Sequence, residues 1–179
     1  MIKSSENVKV YFITMPAHKF LHVKNYESNG YWDFWEKQDK LSGQDCDTIS
    51  GLLDGIKGKL DGKDDIIGNY SGQIMAHIYE DNGKIAEGYG VRLPINYNGA
   101  KPENMLLIDI PENEYIVFEH GPFNYEQESK TVDKKLQEAI NAFDFSETEY
   151  KPDTAAGRIG YFYFVPESFE KIIQPVIKK

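Results

Sequence analysis

Six consecutive residues, Tyr31-Trp32-Asp33-Phe34-Trp35-Glu36, bring four aromatic rings and two carboxylates together. Ring faces beside a carboxylate attract lipophilic cations, through the ring quadrupole and through Coulomb's law. One helical face cannot bury all four rings. Either Phe34 and Trp35 fill a core and Trp32 is incidental surface, or Trp32 or Trp35 lines a ligand cleft. Tyr89, Tyr115 and an aromatic from the last strands would complete such a cleft. Tyr161 and Tyr163 alternate with Phe162 and Phe164, so one pair can face a core and the other a cleft or solvent. Tyrosine offers a cleft both an apolar face and a hydroxyl. The candidate acid is Glu119. In an extended segment Tyr115, Val117 and Glu119 share one face, while Ile116, Phe118 and His120 share the other. A carboxylate there is either a solvated edge charge or the polar anchor of a pocket.

Other chemistries find no motif. No GxGxxG or GxxxxGK[ST] pattern follows a strand, and Gly88-Tyr89-Gly90 is too short to cradle phosphate. His18 and His22 have HxxxH spacing, but on a strand they stand about 13 Å apart. Cys46 has no base near it in sequence, and no nucleophile elbow or triad is present. The helices lack the basic cluster of a DNA-recognition helix. No cofactor and no metal are expected.

The 179 residues suit a single domain, 1–179, with a sizeable core: 40% are hydrophobic, with 12 Tyr, 10 Phe and 2 Trp. A net charge of −9 and a pI near 4.9 repel phosphate backbones and anionic membranes, while a cationic or neutral small ligand is compatible. Direct nucleic-acid binding and membrane association are therefore not expected. One cysteine permits no intrachain disulfide, which fits a reducing compartment. Without an apolar signal core or a run of 18 apolar residues, cytoplasmic location is the default.

These side chains need elements to position them. Val8–Lys24 reads as strand with a turn near Met15-Pro16-Ala17, and Tyr31–Leu41 as a short helix. Ser42–Asp47 reads as a turn containing Cys46, with Thr48 capping a helix whose apolar stripe is Ile49, Leu52, Leu53, Ile56 and Leu60. Its glycines Gly51, Gly55 and Gly58 weaken it by roughly 1 kcal/mol each relative to alanine. Asp61–Asn69 reads as loop, Gln73–Tyr79 as strand, Asp81–Lys84 as a hairpin turn and Ile85–Pro94 as the returning strand. Two short strands, or one long bent strand, fill Met105–His120. Glu126–Phe143 reads as helix, Phe145–Gly157 as loop and Gly160–Val165 as strand. Pro166–Lys171 reads as a turn or short helix, and Ile172–Ile177 as a final edge strand containing Pro175. The order implies α+β architecture with a largely antiparallel sheet.

The segment Ile13–Lys24 can be laid over Ile108–Glu119. Both run apolar, proline, three mostly polar residues, aromatic, apolar run, charge, at an offset of 95 residues. A duplication would give two modules of strand-helix-strand-strand, about 8–95 and about 104–178, around a pseudo-twofold axis, with a ligand cleft between related halves.

The phrase Ile110-Pro111-Glu112-Asn113-Glu114-Tyr115-Ile116-Val117-Phe118-Glu119-His120-Gly121-Pro122 resembles the GyrI-like family, the bacterial transcription activator effector-binding domain. The hairpin Ile78-Tyr79-Glu80 … Glu87-Gly88-Tyr89-Gly90-Val91 and the closing Pro175-Val176-Ile177-Lys178 extend the resemblance over nearly the whole chain. It implies two strand-helix-strand-strand modules with helices on one side of the sheet and a ligand groove on the other. It also implies multidrug or effector sensing, attached to AraC- or MerR-type DNA-binding domains or standing alone. Some members of that family hydrolyse strained electrophiles with a pocket Glu and aromatic support. Its groove often holds a buried glutamate. Glu119 fits by phrase, and the penultimate strand carries Gly160-Tyr161-Phe162 where relatives carry an acid.

The leading expectation is a non-catalytic small-molecule-binding domain, partnered or fused with a DNA-binding domain or standing alone. Its ligand-binding residues would be Trp32, Trp35, Tyr89, Tyr115, Glu119, Tyr161 and Tyr163. The alternatives are a hydrolase using a pocket Glu as general base and a Tyr hydroxyl as donor, and a module that sequesters a protein partner through its acidic surface.

Overall fold

The computed structural model describes residues 3–5, 7–26, 28–60, 72–81, 83–165 and 168–179. In chain order the elements are β1 (Lys3–Ser5), β2 (Val8–Met15), β3 (His18–Asn25), α1 (Tyr31–Gln38), α2 (Cys46–Asp54), β4 (Gln73–Tyr79), β5 (Ile85–Pro94), β6 (Leu106–Ile110), β7 (Asn113–His120), α3 (Tyr125–Ala142), β8 (Tyr150–Pro152), β9 (Ile159–Val165) and β10 (Phe169–Lys178). They form two units. The central unit comprises residues 16–112 and 155–159, and the terminal unit residues 1–15, 113–154 and 160–179.

The fold is α+β, duplicated and mainly antiparallel. The central unit orders its strands β4-β5-β3-β6 and the terminal unit β9-β10-β7-β2-β1. The repeated module is therefore strand-helix-strand-strand: β3, α1 and α2, β4, β5, then β7, α3, β9, β10. The 95-residue offset relates β3 to β7 at both ends, and the last residue of β2 to the last residue of β6. Pro16-Ala17 and Pro111-Glu112 break the pairs at the same place, because proline has no N–H for the ladder. Of the two readings of Met105–His120, two separate strands is correct.

In the terminal unit α3 covers one sheet face. Val10, Ile116, Phe118 and Val176 from the strands meet Val132 and Leu136 from the helix, with Ala139, Ile140 and Phe143 packed around them. Positions 132, 136, 139, 140 and 143 recur at helical spacing, which is why this segment buries one stripe. Asn124 caps the start of α3 by accepting from the Gln127 N–H at 3.1 Å. In the central unit both helices meet one sheet face. Trp35 of α1 packs on Tyr89 of β5, and the Ser50 carbonyl of α2 accepts from Gln73 of β4.

Several boundaries differ from the sequence reading. Cys46 opens α2 rather than sitting in a turn. Asp45 is the cap, accepting from both the Thr48 N–H and the Thr48 hydroxyl, so Thr48 is a partner of the cap. The helix ends at Asp54. Gly55 follows as its C-cap and Gly58 takes φ +82°, a backbone state that excludes continued helix. Phe145–Gly157 contains a 3-10 turn at Phe145–Glu147 and the strand β8. β10 starts at Phe169, so Lys171 is strand. It is no edge either, since β7 flanks it on one side and β9 and β8 on the other. Pro175 is tolerated because it falls in the gap where β9 pairing has ended at Ile173 and β8 pairing begins at Val176. The expected loop Asp61–Asn69 lies outside the described residues.

Candidate functional site

β5 carries Glu87 and Tyr89 two residues apart, so both side chains leave the strand on the same face. Tyr89 meets the ring of Trp35 at 4.9 Å between centroids and that of Tyr31 at 6.3 Å, both edge-to-face. Tyr31 and Trp35 are one helical turn apart on α1 and also meet, at 6.3 Å. Trp32 leans on Tyr31 at 5.2 Å and is 74% exposed. The six-residue aromatic run is thus divided by helical geometry: Phe34 and Trp35 go inward, Tyr31 lies between, and Trp32 faces solvent.

Glu87 is buried beside this cluster at 6% exposure. Its Oε1 accepts from the Gly30 N–H at 2.7 Å, at the residue that precedes α1. Its Oε2 is buried and has no hydrogen-bond partner among the described residues, and the same holds for Nε1 of Trp35. The Tyr89 hydroxyl donates to Gln73 Oε1 at 2.7 Å, and Gln73 Nε2 donates to Asp54 Oδ1 at 2.6 Å and to the Ser50 carbonyl. Burial pushes the Tyr89 hydroxyl pKa upward, so it remains a donor. The arrangement is an aromatic cluster with one buried carboxylate oxygen and one indole N–H, each lacking a partner.

The opposite face of β3 and β5 is of a different kind. His18 and His22 are buried, and burial lowers each to a pKa of about 4. Each Nδ1 lies near a backbone carbonyl, of Pro16 at 2.9 Å and of Phe20 at 3.2 Å. Among the described residues no group of three or more His, Cys, Asp or Glu could hold a metal.

In the terminal unit Glu119 takes part in a network. Its Oε1 accepts from the Tyr11 hydroxyl at 2.7 Å and lies 3.4 Å from the Lys171 ammonium. Burial, and then Glu119, push the Tyr11 hydroxyl pKa upward. The Lys171 ammonium also sits 4.5 Å from the centre of the Phe169 ring. A cavity of about 990 Å³ opens beside Glu119 and His120, lined also by Lys9, Glu128, Thr131 and Lys135. Tyr115 and Tyr161 are buried at 1% exposure each. Tyr163 lies on β9 opposite Lys171, and its side chain is outside the described residues.

Of the residues singled out from sequence, Trp32, Trp35 and Tyr89 thus belong to the central unit and Tyr115, Glu119, Tyr161 and Tyr163 to the terminal unit. Trp35 and Tyr89 touch. Sequence reasoning passed over two buried glutamates. Asn25 of β3 pairs with Glu87, and His120 of β7 pairs with Glu170. Asn25 and His120 are related by the 95-residue offset, so Glu87 and Glu170 occupy the same position of the duplicated module. Glu170 is 3% exposed, and its Oε2 also lacks a partner among the described residues. Burial first, and then the neighbouring Asp133 carboxylate of α3, hold its pKa well above the usual carboxylate range.

Comparison with known proteins matches no family model, and no curated protein is matched. Solved structures do match. SAV2435 bound to tetraphenylphosphonium superposes with a TM-score of 0.61 at 14% identity, covering 94% of each chain. A Staphylococcus aureus MU50 protein assigned to bacterial transcription regulation gives 0.57 at 13% identity, over 94% of this chain and 97% of that one. EcmrR in its complex with DNA gives 0.51 at 11% identity, over 97% of this chain and 59% of that one. The likeness is one of fold. No helix among the described residues is long and apolar enough to cross a membrane.

Proposed function

We propose that residues 1–179 act as a GyrI-like effector-binding domain whose ligand site is the aromatic cluster of the central unit, on the helix-covered face of the sheet rather than on the opposite face that the resemblance implies. The ligand is a lipophilic or cationic aromatic small molecule. The observation that carries this is Glu87: a buried carboxylate with one oxygen unpartnered, set against Trp35, Tyr89 and Tyr31. Ring faces attract a cation and the carboxylate supplies the opposite charge. Trp32, exposed and leaning on Tyr31, forms the outer rim through which the ligand arrives. Glu119 is the weaker choice of acid, because Lys171 already balances its charge. Tyr115, Tyr161 and Tyr163 belong with Glu119 as a second set to be tested. The fold shared with SAV2435, which binds tetraphenylphosphonium, supports a cation-binding role.

The regulatory part of the reading is that binding is reported to a DNA-binding partner, fused or separate. The DNA-bound EcmrR chain, of which this fold spans 59%, supports that arrangement. Transmission requires the ligand to bind one of two conformations more tightly. A hydrolase is the less favoured reading. Glu119 and Tyr11 form a Glu–Tyr pair, but there the hydroxyl proton points at the carboxylate itself rather than at a leaving group.

The test is a thermal-shift screen at pH 7 with aromatic cations, neutral aromatics and anions, followed by calorimetry. Cations are expected to stabilise the protein. Trp35→Ala and Glu87→Gln should each weaken binding at least tenfold, about 1.4 kcal/mol, while Glu119→Gln leaves it unchanged. Undiminished binding in a folded Trp35→Ala variant would remove the central-unit site.

A further inference from the structure

The central-unit site carries two unmet hydrogen-bonding groups of opposite kind. Glu87 Oε2 is an acceptor and Trp35 Nε1 a donor. Their residues are 6% and 5% exposed, so bulk water does not reach them freely. Buried polar groups are nearly always paired, and an unpaired one is costly. Glu87 Oε1 is already taken by the Gly30 N–H, which fixes the carboxylate and leaves Oε2 as the open position. Trp35 is held by its ring contacts with Phe34 at 5.0 Å and Tyr89 at 4.9 Å, so its N–H is not free to turn away.

A fully alkylated onium ion would satisfy the ring faces and the charge. It would give Oε2 no hydrogen and Nε1 no lone pair, and both groups would stay unpaired beneath it. A protonated amine brings its positive charge and its N–H together, and a charge-assisted hydrogen bond is about twice as strong as a neutral one. A small ammonium head also displaces less of an aromatic cluster whose rings already touch. We infer that this site selects aromatic ammonium ions that carry N–H hydrogens and a hydrogen-bond acceptor over fully alkylated onium ions. The inference rests on the central-unit reading above and narrows the ligand class within it.

Three probes test it by calorimetry at pH 7: 2-phenylethylammonium, its N,N,N-trimethyl derivative and its 4-methoxy derivative. They share a ring and a charge. The primary ammonium should bind at least tenfold tighter than the trimethyl ion. Glu87→Gln keeps an oxygen for Gly30 and replaces Oε2 with an amide, so that ratio should fall to near one. The methoxy group should add a further gain, which Trp35→Phe removes without altering the ammonium preference. Equal binding of the primary and trimethyl ions to the unaltered protein would overturn the inference and leave the site standing. A preference that survives in folded Glu87→Gln would overturn it too. Failure of every aromatic cation to bind would instead remove the underlying reading.

Discussion

The two units share a strand order and part company under their helices. Beneath α3 the terminal unit packs Val, Ile, Leu and Phe. Beneath α1 and α2 the central unit packs Trp35, Tyr89 and a Gln73 amide network. Yet both place a buried glutamate at one position of the repeat. What surrounds that glutamate differs: the start of α1 offers Glu87 an N–H, while α3 offers Glu170 another carboxylate. Duplication conserves the slot on the sheet, and the helix laid over it decides the chemistry.

The largest test exchanges a residue between units. His22 pairs with Gly90, and its counterpart Val117 pairs with Ile173. A side chain at Gly90 would place Cβ 1.9 Å from the Leu21 carbonyl oxygen, a backbone atom with no flexible group to yield. Gly90→Ile is expected to abolish cooperative folding of the central unit, read by circular dichroism. The reverse change, Ile173→Gly, should leave a folded protein destabilised by about 2–5 kcal/mol in urea titration. Similar losses for the two would show that the close approach of β3 and β5 is not the cause.

The next test addresses Glu170 by pH. A carboxyl whose pKa is raised on folding keeps a proton that the unfolded chain gives up. Its contribution to stability is then full below the unfolded value and fades as pH rises towards the folded one. Between pH 7 and 9 the melting temperature should fall, with a ceiling of roughly 1.4 kcal/mol per pH unit. Glu170→Gln should flatten that slope. His18 and His22 do not interfere in this window, because folding lowers them to about 4 and their effect is a loss of stability below pH 6.5. An unchanged slope in Glu170→Gln would assign the pH dependence elsewhere. The smallest effect belongs to Glu87→Gln in the absence of ligand. With the Gly30 hydrogen bond retained, its unfolding free energy should shift by about 1 kcal/mol or less.

Strands and their pairing were legible wherever one short pattern carried them. Gln73–Tyr79 and Ile85–Pro94 are strands over those same residues. Proline punctuation revealed the repeat, because Pro16 and Pro111 break matching ladders. The end of α2 was not legible: its apolar stripe continued to Leu60, and only the backbone states at Gly55 and Gly58 stop it. β10 was misread as an edge because proline usually marks one, and the gap between two neighbouring strands is a tertiary fact. The aromatic surplus at Tyr31–Trp35 announced itself by count, and two of its members, Tyr31 and Trp35, meet Tyr89. Glu87 did not, since a glutamate in a strand beside a hairpin turn ordinarily faces water. Its burial follows from pairing with a strand some sixty residues earlier and from where α1 begins.

The placement of β2 has a consequence for how the chain is made. Its partner β7 lies more than a hundred residues downstream, with Tyr11 opposite Val117. At ordinary translation rates Tyr11 is added to the chain on the order of 5–20 s before Val117. Throughout that interval Val8, Val10 and Met15, all buried in the finished protein, belong to a nascent strand that has its short neighbour β1 but not its long one, β7. The strands β3, β4, β5 and β6 of the central unit are synthesised in between, and its segment 155–159 follows β7. The apolar side chains of β2 therefore wait for β7, and the synthesis of β7 is what completes their ladder.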